Sequence, residues 1–239
     1  MEDRIKNILK EIKEHAPFTL FGAFTGIGCM LLFRNFGKET NLRLFQVFHP
    51  THVVLSAMVT AALFKLYKKK TSFVTVLIVG YLGAIGVATV SDCVLPYFGE
   101  SILGVAVPVH SHAEEEVDEH EEEHEEADVH EDEHEGLRIH LGFIEDWYIV
   151  NPAAILGVFI AYFLPRTKFP HAGHVLISTW ASSFHVLMNT QRELTPLILT
   201  GMLVVLFIAV WLPCCVSDIV FPLLFVKSRD GLSHIHHHH

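Results

Sequence analysis

Six side chains in this sequence have the type and spacing of ligands for a metal ion: His49, His52, Asp92, His171, His174 and Asp218. They fall into two matching sets. His49-x-x-His52-Val53-x-x-Ser56 is echoed by His171-x-x-His174-Val175-x-x-Ser178. Val90-Ser91-Asp92-Cys93-Val94-Leu95-Pro96 is echoed by Val216-Ser217-Asp218-Ile219-Val220-Phe221-Pro222, with five of seven positions identical. Positions i and i+3 of a helix share a face, so each His pair can turn two imidazoles toward one ion. The Asp would reach that ion from an adjacent helix. Two His and a carboxylate suit Zn²⁺ first, and also Fe²⁺, Mn²⁺, Co²⁺ or Ni²⁺. One His-x-x-His pair is weak evidence, because imidazoles and carboxylates near helix ends also cap backbone. The same pair twice, each with the same Asp segment, is stronger.

The elements that must position these residues are apolar helices. The chain has 239 residues, of which 51% are hydrophobic, and a mean hydropathy of +0.38. A disordered chain is excluded, and an ordinary soluble domain fits poorly. Six segments meet the requirement of about 20 mostly apolar residues for a membrane span: 17–33, 48–67, 72–98, 147–164, 172–189 and 196–226. The first and fourth also match, as Pro17-x4-Gly22-x-Phe24 and Pro152-x4-Gly157-x-Phe159, closed by Arg34 and Arg166. All three matches occur in the same order in both halves. The expected fold is therefore an all-α integral membrane protein of two three-helix units, residues 17–98 and 147–226. An odd number of spans per unit gives the two units opposite orientation, an arrangement common in secondary transporters.

Residues 1–16 form a charged amphipathic stretch with Ile5, Ile8, Leu9 and Ile12 on one face, which reads as a helix lying on the membrane surface. Residues 99–146 form the connection between the units. Its centre, 110–140, holds 15 Asp/Glu, seven His and one Arg. The formal net charge of -10 thus hides an apolar body of balance +4 and an insert of balance -14. Phosphate would be repelled, so no nucleic-acid partner is expected. The insert has too few apolar residues to build a core. It reads as a low-affinity metal collector whose negative field concentrates cations. Residues 227–239 end in Ser233-His234-Ile235-His236-His237-His238-His239, either a native metal-binding tail or a purification tag, and carry no functional argument here.

Twelve of the 17 Lys/Arg lie in the N-terminus, the 65–70 and 166–168 connections and the C-terminus. By the positive-inside rule both termini face the cytoplasm and the insert lies outside. In that topology His49, His52 and Asp92 fall near the outer face, and His171, His174 and Asp218 near the inner one. The expected function is a divalent transition-metal transporter of the cytoplasmic membrane, working by alternating access, with uptake slightly favoured and no enzymatic activity. The partners are the lipid bilayer and metal ions; a homo-oligomer is compatible with the sequence. His185 reads as a waypoint or a satisfied interior histidine, and Ser91 and Ser217 as hydrogen-bonding to backbone or to the neighbouring Asp rather than to metal. His15, Asn151, Glu145 and Asp146 are weaker additions to the sites. Cys29, Cys93, Cys214 and Cys215 could supply soft ligands but read better as lipid-facing or packing residues. A membrane haem protein and an intramembrane metalloenzyme are the alternatives; neither suits paired His at opposite faces, and no His-Glu-x-x-His pair occurs. A water channel is disfavoured, since Asn151-Pro152-Ala153 is matched only by Ala16-Pro17-Phe18.

Overall fold

The computed structural model describes residues 2–68, 71–105, 142–165, 168–190 and 193–216. The chain is all-helical: α1 (Glu2–Phe33), α2 (Lys38–Tyr67), α3 (Phe73–Thr89), a π-helical turn (Val90–Val94), α4 (Leu95–Ile102), α5 (Gly142–Glu145), α6 (Trp147–Phe163), α7 (Lys168–Asn189) and α8 (Pro196–Cys215). Among the described residues four stretches are long and apolar enough to cross a membrane: Ala16–Phe33, Lys38–Leu66, Phe73–Ile102 and Pro196–Cys214. The 17 residues of α6 are as apolar but rise only about 26 Å, slightly short of a hydrocarbon core of about 30 Å. In α7 the serines, threonines and histidines lower the hydropathy, and almost the whole of 174–188 is buried.

Three boundaries differ from the sequence reading. The N-terminal stretch is not a separate surface helix, because α1 continues unbroken through Pro17. Helix α2 starts at Lys38 rather than 48, since Leu42, Leu44, Phe45 and Val47 keep an apolar pattern going despite the charges nearby. The third helix does not stop at 98. The π turn absorbs one extra residue, and α4 carries it to Ile102. These extensions matter for the site: His49 lies about 16 Å, or three turns, inside α2, and Asp92 about 15 Å from Ile102.

Side-chain neighbours fix the directions of the helices. Phe45 faces His185 and His52 faces His174, so α2 and α7 run antiparallel. Lys65 donates to the Tyr162 carbonyl and the Gly157 backbone abuts Val54, so α6 runs parallel to α2. Gly22 and Gly26 meet Thr179 and Ser183, so α1 runs parallel to α7. The central α2–α7 pair is flanked by α3 and α6 on one side and by α1 and α8 on the other. Apolar side chains cover the outside: Phe21, Phe24 and Leu32 on α1, Ile78 and Leu82 on α3, and Phe159 on α6 are exposed. The polar side chains His49, His52, Asp92, Glu100, His174 and His185 are buried. This inverts the pattern of a water-soluble bundle and is what a lipid environment selects.

Small residues let the central helices approach closely, as in membrane bundles generally. A Cβ on Gly157 would run into the Val54 carbonyl oxygen and stand 2.8 Å from Ala57 Cβ. Backbone cannot yield as a side chain can, so Gly157→Ala is expected to destabilise by about 1–3 kcal/mol. Gly28→Ala meets nothing within 4 Å and is expected to be neutral or to gain up to about 1 kcal/mol from helix propensity. Thermal unfolding of the two variants in detergent checks this; equal midpoints would mean that α2 and α6 are not in close contact.

Candidate metal centre

Asp92 owes its position to the π turn. The Leu95 N–H bonds the Val90 carbonyl, five residues back, in the wider register. Pro96 follows and has no N–H for the next such bond, to the Ser91 carbonyl. The Ser182 hydroxyl, on α7, stands 3.0 Å from that oxygen and can donate to it. A π turn widens the helix locally, and here it swings the Asp92 carboxyl toward α2 and α7.

Four donors meet that carboxyl. Asp92 Oδ2 accepts from His49 Nδ1 (2.9 Å) and His52 Nδ1 (2.7 Å). Asp92 Oδ1 accepts from Ser91 Oγ (2.7 Å) and Ser178 Oγ (3.0 Å). All of these residues are fully or almost fully buried. A carboxylate has about four lone-pair positions, and here each has a donor. Hydrogen bonds to an ionised group contribute about 1.5–3 kcal/mol each. Four of them match or exceed the several kcal/mol lost on taking one ion out of water, so Asp92 stays a carboxylate.

The arrangement fixes the chemistry of the two imidazoles. Each gives its Nδ1–H to Asp92. A neutral ring then carries its lone pair on Nε2, and His49 Nε2 and His52 Nε2 are buried with no protein hydrogen-bond partner. Carboxylates that take Nδ1–H and leave Nε2 as donor to an ion are the usual supports of metal-binding histidines. In this state Asp92 orients the rings; the sequence reading had it as their fellow ligand. Among the described residues no three His, Cys, Asp or Glu side chains have the spacing of a closed metal site. What is present is a pair of oriented, desolvated nitrogen donors.

The second His pair does not stand apart from the first. His174, on α7, is fully buried with its ring 4.7 Å from that of His52. Its Nε2 lies 3.0 Å from Cys214 Sγ on α8. His171 follows, half-buried, with its ring 6.2 Å from that of His174. The expectation of separate constellations near opposite faces therefore does not hold for the four histidines. It assumed that each pair opened its helix, whereas α2 begins three turns earlier and brings His52 down to the level of His174. Asp218 lies outside the described residues, as do the insert and the C-terminal histidines.

Beyond His49 the polar file continues. Phe45 stacks on His49 (5.0 Å between centroids) and meets His185 edge-on (5.7 Å). His185 Nδ1 lies 3.1 Å from Glu100 Oε1 and 3.3 Å from Asn189 Nδ2. From His185 to His171 is about 21 Å along α7, some two-thirds of a bilayer core. Sequence reasoning missed Glu100 because it ended the third span at residue 98; the apolar run Ile102-Leu103 beyond Glu100 was the available signal. It also preferred a lipid-facing or packing role for Cys214 over a place beside the histidines. Of the weaker additions, Asn151 accepts from Tyr81 (3.1 Å) and Asp146 pairs with Gln46 (3.3 Å), so both hold helices together away from the file. Ser91 bonds Asp92 as expected. The side chain of His15 lies outside the description.

No family model matches the chain, and neither curated proteins nor solved structures give a match.

The four-donor network makes a stability prediction. Asp92→Asn replaces an acceptor oxygen by an NH₂ donor facing donors, and is expected to cost about 3–5 kcal/mol. Ser178→Ala in the native background is expected to cost about 1.5–3 kcal/mol, but less than half of that when Asn already occupies position 92. Denaturant unfolding of the four proteins of this cycle measures the coupling; strict additivity would mean that Ser178 does not serve Asp92.

Proposed function

We propose that this protein carries a divalent transition-metal ion across the cytoplasmic membrane, with Zn²⁺ the best-suited ion and Fe²⁺, Mn²⁺, Co²⁺ and Ni²⁺ also accepted. The observation that carries the reading is the buried file of imidazoles at the α2–α7 contact, with His49 and His52 held by Asp92 and their Nε2 atoms unpartnered. A soluble metal store needs no such file, and a structural role would satisfy those nitrogens. Ionisable groups inside a membrane bundle mark ion pathways more often than scaffolding.

The carrier is built as six spans in two inverted units. Support comes from contacts that repeat between the halves. The aligned residues His52 and His174 touch each other, as residues next to a two-fold axis must. Gly22 packs on Thr179, and its counterpart Gly157 packs on Ala57, the counterpart of Thr179. The π geometry that starts at Val90 starts again at the aligned Val216. The axis then runs through the His52–His174 contact, where transporters of this construction hold their cargo. Alternating access follows from rocking one unit against the other about that contact. The acidic, His-rich insert lies outside and gathers cations, and both termini lie in the cytoplasm.

Imidazole must be unprotonated to hold a metal ion, so binding competes with protons and weakens as pH falls. A haem protein is the weaker reading: with 4.7 Å between ring centroids, His52 and His174 leave no room for a macrocycle between them.

The test is Zn²⁺ uptake by proteoliposomes containing the full chain. His49→Ala/His52→Ala keeps the insert and tail but removes the oriented nitrogens. Uptake is expected to fall at least about tenfold, the effect of losing about 1.4 kcal/mol of binding, and to fall in the native protein as pH is lowered. A native protein that moves no more Zn²⁺, and retains no more after washing, than the double variant would sink the proposal.

A further inference from the structure

Two buried carboxyls line the file, and they differ in one respect. Asp92 has a donor on every lone-pair position, so it has no place for a proton. Glu100 is just as buried, but only its Oε1 has a partner, His185 Nδ1 at 3.1 Å. Glu100 Oε2 and His185 Nε2 are both buried and unpartnered.

The contact between Oε1 and Nδ1 requires one hydrogen between them. With that proton alone the pair carries a net charge of −1. A second proton brings the pair to neutrality, and it has two places to sit: Glu100 Oε2, giving an acid beside neutral imidazole, or His185 Nε2, giving an ion pair. These are the two unpartnered atoms. A net charge in a water-poor interior is costly, and the second proton removes it.

Among the described residues nothing nearby replaces that proton as a counter-charge. On α7, Asn189 touches His185 Nδ1. On α2, Phe45 faces His185, with His49 and then Asp92 beyond it. The π turn presents buried Cys93, α4 itself half-buried Tyr97, and α1 half-buried Cys29. The α8 side is Met202 and Leu206. No Lys or Arg is buried among the described residues. The largest change in charge that the pair can sense is thus a cation arriving one phenyl ring away.

We propose that Glu100 and His185 form a proton site that empties when a divalent cation occupies the His49/His52 centre, so that the cation is exchanged for a proton. This rests on the metal-carrier reading above. The step balances without a co-reactant: the cation enters with its two charges, and the proton leaves Glu100 Oε2 or His185 Nε2 for water on the open side. When the cation departs, the pair takes up a proton again. Asp92 keeps its charge throughout, so one carboxylate orients the cation donors and the other couples them to the proton gradient.

Infrared difference spectroscopy of the full-length protein in detergent, with and without Zn²⁺ at neutral pH, tests this without requiring transport. Carboxylic acids in contact with water are ionised at that pH, so a protonated-carboxyl band reports acids shielded from water. Zn²⁺ is expected to bleach one such band, which is absent in Glu100→Gln. His185→Gln keeps the acid but is expected to shift the band and abolish its response, and it serves if Glu100→Gln does not fold. In proteoliposomes, Glu100→Gln is compared with the native protein for Zn²⁺ accumulation under an imposed pH gradient. A pH gradient should no longer drive accumulation by this variant. Native protein that retains Zn²⁺ while the band stays unchanged overturns the proton site alone, as does a Glu100→Gln protein still driven by pH. Native protein that retains no Zn²⁺ overturns the carrier reading and this proposal together.

Discussion

The Asp92 carboxylate, buried and supplied with four hydrogen-bond donors, is the interaction on which the rest of the arrangement depends. It draws donors from three separate parts of the chain: the π turn through Ser91, α2 through His49 and His52, and α7 through Ser178. An ion in a low-dielectric interior is tolerated only when its lone pairs are occupied. The need to occupy them fixes the rotation of α2 and α7 about their axes. That rotation in turn sets which atoms of the histidines remain for other chemistry. Satisfying Asp92 through Nδ1 leaves Nε2 unsatisfied, so the stabilising network and the candidate binding atoms are two sides of the same rings.

Close packing makes this network geometrically feasible. Gly22, Gly26 and Gly157 let α1 and α6 press against the central pair, and Gly99 brings α4 onto Val205 of α8. Without a hydrophobic force between helices in lipid, such contacts rest on van der Waals fit and on the buried hydrogen bonds themselves. The serines of α7 illustrate the economy. Ser178 serves Asp92, and Ser182 stands on the carbonyl that Pro96 leaves unserved. Hydroxyls that look like a weakness in an apolar span are the reason the neighbouring helix can afford both an acid and a proline.

The polar file is graded along its length. At one end Glu100 meets His185 in a largely apolar setting; in the middle Asp92 meets the Nδ1 atoms of two rings; farther on, His174 meets a thiol. Acid, imidazole and thiol differ in softness and in proton affinity, so in the proposed carrier the exchanged proton and the cation sit on different groups, while protons in solution still compete with the cation for imidazole. In the proposed carrier that division lets one gradient drive the other across a single aromatic ring, Phe45.

The sequence by itself determined that the chain builds apolar helices fit for a membrane, and it pointed to polar residues that the fold buries. Runs of about 20 apolar residues force helices, since an unpaired peptide group in lipid costs several kcal/mol. The doubled His-x-x-His and Val-Ser-Asp motifs singled out four histidines and Asp92 because polar residues in such runs are rarely idle. Depth and partnership were decided only by the tertiary structure. Helix ends are set by caps, turns and neighbours as well as by hydropathy, so Lys38–Val47 and Gly99–Ile102 became helical where the sequence suggested loops. Those extensions moved His49, His52 and Asp92 inward and made Glu100 an interior residue. No local pattern encodes which imidazole nitrogen meets a carboxylate, or that His52 would lie against His174. Those facts arise when two distant helices cross, because a hydrogen bond requires atoms within about 3 Å, and only the packed fold brings them that close.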